Sequence, residues 1–294
     1  MAQAHAEADS YYVPHSSPWP IYGSITLFTL MSGAVATLNN WLPAWALIPG
    51  FVMLALLFIF WFNTVIGENQ SGMYNMAVDR SFRMGMMWFI FSEVMFFAAF
   101  FGALFYVRNL AVPWLSGDGV KIFSKLLLWK NYSGAWPTNG PATLGPRVDG
   151  TFGVVPAIGL PAVNTAILLT SSVTVTIAHH ALLTGHRTRL KIFLAATFLL
   201  GFTFVGLQAM EYHEAYTELG LQLGTGIYGS TFFMLTGFHG MHVTVGAIML
   251  TVIFFRVMSG HFTAKRHFGF EAVSWYWHFV DVVWLGLFIF VYWL

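Results

Sequence analysis

The chain has 294 residues, of which 57% are hydrophobic, 18% aromatic and only 9% charged, with a net charge of +1. That leaves too few charges for the surface of a soluble globule of this size and no basic block for a polyanion, so an integral membrane protein is indicated and nucleic-acid binding is not. Cysteine is absent, which excludes disulfides, thiolate metal sites and thioether-linked haem.

Residues 1–20 form a polar arm with neither a basic start nor an apolar run. It does not read as a signal peptide, and the first span is expected to insert uncleaved. His5 and His15 in this arm titrate near neutrality, so each is either a surface proton acceptor or an ordinary solvated side chain. Apolar runs able to cross about 30 Å of hydrocarbon follow at 21–38, 43–66, 82–108, 157–184, 190–212, 229–255 and 270–293. They predict an all-α, polytopic chain forming one seven-helix membrane domain over 1–294, with helices one and two in 21–66 and helices three to seven in 82–293. An odd number of spans places the termini on opposite sides.

With the N-terminus inside, the short inner loops carry Arg80, Arg83, Arg187, Arg189, Lys191, Arg256, Lys265 and Arg266, eight of the thirteen basic residues. The short outer loops at 39–42 and 213–228 carry none. This bias predicts a cytoplasmic N-terminus and an external C-terminus. The other basic residues lie in or beside the long loop 109–156, which long-loop translocation permits. Its Gly, Pro, Asn and Trp content suits an ordered cap on the membrane face or on a partner.

Ionisable residues inside the apolar runs are the candidate functional groups. Glu93 stands about twelve residues, or roughly 18 Å, into the third run. Leaving it ionised there costs about 3 kcal/mol, and protonating it at neutral pH from a reference near 4.3 costs roughly 3.7 kcal/mol. The two states are too close to separate by arithmetic. Glu93 therefore reads either as a hydrogen-bonded tie between helices or as a proton-linked group.

The stretch 268–284 (FGFEAVSWYWHFVDVVW) carries Glu271, His278 and Asp281 in an otherwise apolar helix. With Trp275 they are expected to form one stripe facing protein, the opposite side facing lipid. His179, His180, Glu211, His239 and His242 complete the intramembrane set. Haem or di-iron ligation is the sharp alternative, but no Glu-x-x-His pair of the bundle di-iron type occurs anywhere in the chain. Polar helix-interface contacts are the reading adopted, with no metal site and no catalytic residue. Gly229, Ser230, Thr236, Gly237, Gly240, Thr244 and Gly246 are expected to let the sixth helix approach its neighbours closely.

The motifs SPWP (17–20), RMGM (83–86), FSEVMFF (91–97), AHH (178–180), LQAMEY (207–212), YGSTFFMLTGFHGMHV (228–243) and the 268–284 segment occur in the order found in subunit III of the haem-copper cytochrome c oxidases. The chain resembles that family over most of its length. The resemblance implies a fold of two plus five helices around a lipid-filled cleft. It also implies partners in subunits I and II, which hold the haem and copper, and cytochrome c as electron donor to the complex. No cofactor is expected in this chain beyond bound phospholipids. By position, Trp61, Glu68, Arg256 and His261 match the family's headgroup-contacting residues, although the loop after Glu68 (ENQSGMYN) departs from the family's usual histidine-containing sequence. The long loop points to a bacterial inner membrane over a mitochondrial one. Subunit III of a quinol oxidase and a transporter using Glu93 are the alternative readings; the first usually lacks the two N-terminal helices present here.

Overall fold

The computed structural model describes residues 11–14, 16–147 and 150–294, so His5 and His15 lie outside it. Among the described residues, seven helices are long and apolar enough to cross a membrane. They are α1 (Trp19–Leu38), α2 (Ile48–Gln70), α3 (Met76–Tyr106), α4 (Leu160–Leu183), α5 (Arg187–Thr217), α6 (Gly226–Met258) and α7 (Phe268–Leu287). No strand occurs among the described residues, as expected where every backbone group must be satisfied within its own segment.

Several helices run past the apolar stretches. The third starts at Met76, and with its added turns the span reaches Leu115. Apolarity marks hydrocarbon, whereas helices end only where the backbone is interrupted. Asn75 provides such a start, its Oδ1 accepting from the amides of Ala77 and Val78 at 3.1 Å each. At the C-terminal ends, Gly185 (φ 76°) and Gly260 (φ 76°) terminate α4 and α6 in left-handed turns. There His186 and His261 amides reach back to Ala181 and Arg256 carbonyls at 2.9 and 3.0 Å.

The chain divides into two compact units, Met1–Met84 and Gly85–Leu294. In the first, α1 and α2 form a hairpin packed at small residues. A side chain at Gly50 would come 2.5 Å from Leu30 Cα, and one at Gly33 would strike the Ala46 carbonyl. In the second, α7 packs against α6 and α4 while α5 bridges α4 and α6. Its centre is Trp277, wholly buried, with its indole Nε1 donating to Ser171 Oγ of α4 at 2.9 Å. The ring lies over Gly201 of α5 and Gly246 of α6, where an added Cβ would come within 2.6 and 2.9 Å of it.

The α7 stripe differs from expectation. The helix is buried on most of its circumference along Phe270, Trp277 and Trp284, with Asp281 also buried and Glu271, Trp275 and His278 only half-buried. Helix α7 is thus an interior helix without a broad lipid face. Of the α6 small residues, Gly246 and Gly229 make close approaches, whereas Gly240 has nothing within 4 Å.

The long loop folds onto the α5–α6 connection. Gly153 N donates to Leu219 O at 2.7 Å, Tyr228 N to Thr138 O at 3.1 Å, and Arg147 Nη2 to Glu218 O at 2.6 Å. Trp136 and Phe152 pack against Tyr228 at 5.6 Å each. The loop rests on this chain's own α5–α6 connection.

Gly201→Ala is expected to lower the stability of the folded bundle by about 1–3 kcal/mol through overpacking against Trp277. Gly240→Ala, in open space, is expected to leave it unchanged or slightly raised. Thermal unfolding in detergent, followed by tryptophan fluorescence, distinguishes the two.

Candidate functional site

Glu93 and His242, 149 positions apart, meet across α3 and α6: Oε2 of the acid lies 3.0 Å from Nε2 of the imidazole. The other ring nitrogen, Nδ1, is 2.6 Å from the Phe238 carbonyl one turn back on α6. A carbonyl only accepts, so Nδ1 carries a proton. Two arrangements remain: a neutral acid donating to a neutral ring, or an imidazolium donating to a carboxylate. Each holds one proton between the partners and leaves the pair without net charge. That is the state least costly in hydrocarbon.

Aromatic rings enclose the pair. Phe97 lies 5.1 Å from the His242 ring in a T-shaped contact, Phe96 6.0 Å from it, and Tyr276 of α7 stacks at 6.4 Å. The Tyr276 hydroxyl also donates to the His242 carbonyl at 3.3 Å. Glu93 keeps about a fifth of its side chain exposed, against 8% for His242. Other acids are more enclosed by protein than Glu93, namely Glu211 at 2% and Asp281 at 5% exposure.

The remaining intramembrane residues separate into smaller contacts. His239 Nε2 donates to the Val280 carbonyl of α7 at 3.1 Å, and its ring packs on Trp284 and Phe204 at 5.1 and 5.6 Å. His278 lies 2.7 Å from Ser172 Oγ and 3.4 Å from Thr176 Oγ1, both on α4. His179 lies 5.5 Å from the rings of His267 and Phe270, and His267 faces Glu271 at 3.8 Å. His180, expected among the interface residues, is exposed instead, because it falls on the side of α4 opposite Ala178 and Leu182. No group of three or more His, Asp or Glu side chains is arranged for a metal ion among the described residues.

Glu211 accepts from Tyr292 Oη at 2.6 Å and from Gln208 Nε2 at 3.0 Å. Gln208 is not singled out from the sequence, although its three-residue offset from Glu211 puts both on one helix face. The sequence carries no signal for Tyr292, an aromatic in an apolar tail, nor for Ser172 in a run of hydroxyl residues.

Of the expected headgroup residues, Trp61 and Glu68 belong to the first unit and Arg256 and His261 to the second. Trp61 stacks on Trp19 at 6.2 Å with planes 6° apart. Glu68 accepts from Tyr74 at 2.6 Å and from Tyr12 at 3.2 Å. Tyr74 lies in the loop that departs from the family pattern; burial and the neighbouring Glu68 push its phenol above the ordinary value. The Arg256 guanidinium sits 4.4 Å from the Phe262 ring centre, with its Nε unpartnered.

Glu93→Gln is expected to retain the tie, since an amide N–H donates to Nε2 as the neutral acid does; the chain should still accumulate in the membrane at close to its normal level. Glu93→Lys places a second cation-forming group against His242 and is expected to abolish stable assembly. Membrane content of the chain checks both, and disappearance of the Glu93→Gln chain from the membrane would show that an amide cannot replace the acid.

A family model for cytochrome c oxidase subunit III matches residues 9–115 and 126–294. The chain is 40% identical over 288 residues to cytochrome c oxidase subunit 3 of Coturnix japonica, covering 98% of each chain. It is also 40% identical over 292 residues to the protein of that name from Danio rerio, covering 99% of this chain and 98% of the relative. With seven membrane-length helices and matches across nearly all of its length, the chain belongs to the cytochrome c oxidase subunit III family.

Proposed function

We propose that the chain serves as the non-redox subunit III of a cytochrome c oxidase. It binds subunits I and II, which carry the haem and copper, in a complex that passes electrons from cytochrome c to O2 and pumps protons. Its own part is to stabilise subunit I, to sustain proton uptake, and to hold phospholipids through Trp61, Glu68, Arg256 and His261. The observation that carries this reading is the use made of the intramembrane histidines. Both nitrogens of His242 and of His278, and Nε2 of His239, are engaged with other groups of this chain. Such side chains hold helices together; they are not poised as ligands or nucleophiles.

The cytochrome c donor is supported by the presence of α1 and α2, and a bacterial inner membrane by the long loop. The N-terminus is cytoplasmic and the C-terminus periplasmic, on the distribution of Arg and Lys. The exposed apolar surface, including Phe28, Trp41, Trp88 and Val282, suits lipid or neighbouring transmembrane helices.

Mild solubilisation followed by affinity isolation of the tagged chain is expected to recover a haem-bearing partner with copper. Isolation without haem would sink the assignment. The chain has no cysteine of its own, so single reporters are clean. Ser133→Cys in the long loop should react with an impermeant thiol reagent only from outside intact cells, and Thr188→Cys only after the inner face is opened.

A further inference from the structure

The end of the second unit that carries the long loop contains a cavity the oxidase reading does not use, apolar except for two glutamates. It has a volume of about 150 Å³ and is lined by Val155, Pro156, Leu160, Glu211, Glu214 and Leu219, among others. One water requires roughly 10–15 Å³ of such space. Glu211 is 2% exposed and lines the cavity, yet only Oε1 is bonded, to Tyr292 and Gln208. Its Oε2 is buried with no partner, as are Gln208 Oε1 and both amide atoms of Asn164, which stands one turn beyond Leu160 on α4. Pro156 and Glu214, also on the lining, are exposed, so the cavity reaches the surface.

A buried carboxyl oxygen left without a partner costs the full desolvation penalty, and native structures fill such places with water. The ionisable groups facing Glu211 are Glu214 and Tyr212 on its own helix, Tyr228 on α6 and Tyr292 beyond α7. None is a cation, and no described cation lies within ion-pairing distance of it. Two hydrogen bonds reach Oε1, but no positive charge there balances an ionised carboxylate.

We propose that this cavity is a water site and that Glu211 is a protonated carboxylic acid whose Oε2–H donates into it, exchanging its proton with the surface solvent past Glu214. The bundle then has two acids of opposite kind. Glu93 shares its proton with a histidine inside the protein, while Glu211 exchanges its proton with bulk water. The donors on Oε1 hold the carboxyl in place and leave its other oxygen without a protein partner.

Infrared spectra of the isolated complex, taken in H2O and immediately after transfer to D2O, test the proposal whichever partners copurify. The expected result is a protonated-carboxyl C=O band that disappears in Glu211→Gln and moves to lower frequency within the mixing time in D2O. Tyr292→Phe removes the 2.6 Å hydrogen bond and should move the same band to higher frequency. That shift identifies the band even if Glu211→Gln fails to assemble. A Tyr292-sensitive band that keeps its proton for hours in D2O would mean a dry site, and no such band at all would mean an ionised acid; either result overturns the proposal.

Discussion

The second unit depends on the seating of one indole. Trp277 is the largest wholly buried side chain, and it reaches three helices at once: Gly201 on α5, Gly246 on α6 and Ser171 on α4. In hydrocarbon there is no solvent-driven reason for apolar helices to associate, so close packing and interhelical hydrogen bonds must supply specificity. A flat bicyclic ring against two glycine backbones supplies the packing, and its single N–H finds a hydroxyl. Trp284, two turns on, repeats the device, with its indole donating to Thr165 at 2.9 Å and its ring edge-on to Phe204 at 4.7 Å. These two anchors draw α7 into the interior and fix the height at which every other polar group on α4 to α7 meets its partner.

The contacts of the buried histidines then follow one rule, that none requires an uncompensated charge. Glu93 and His242 satisfy it by sharing a proton. His239 and His278 satisfy it as neutral rings bonded to a carbonyl and to hydroxyls, groups that ask for no ionisation. At the membrane surface the constraint relaxes. There Arg83 pairs with Asp79 at 2.8 Å in ordinary i,i+4 fashion, and Glu68 gathers two phenols in the first unit. Intramembrane groups engaged in this way hold the helices of the bundle to one another.

The number, order and polarity of the spans were legible in the sequence because crossing hydrocarbon is a local requirement: each run must be apolar for about twenty residues, whatever its neighbours do. Order of motifs carried the family equally well. Helix ends were less legible. The start of α3 at Met76 depends on Asn75 as cap, and charged residues such as Arg80 stop the apolar run without stopping the helix.

Partner choice lay beyond the sequence. Glu93, His239 and His242 could be named as polar groups needing partners, but only the folded chain paired His242 with Glu93 and turned His239 to the Val280 carbonyl. His180 went to the exposed side of α4, and α7 lost the lipid face its pattern suggested, because α4, α5 and α6 surround it. The physical reason is the same throughout. Burial against lipid and burial against protein select the same apolar residues, so hydropathy tells which segments cross the membrane, and only close packing decides which side of each helix meets which neighbour.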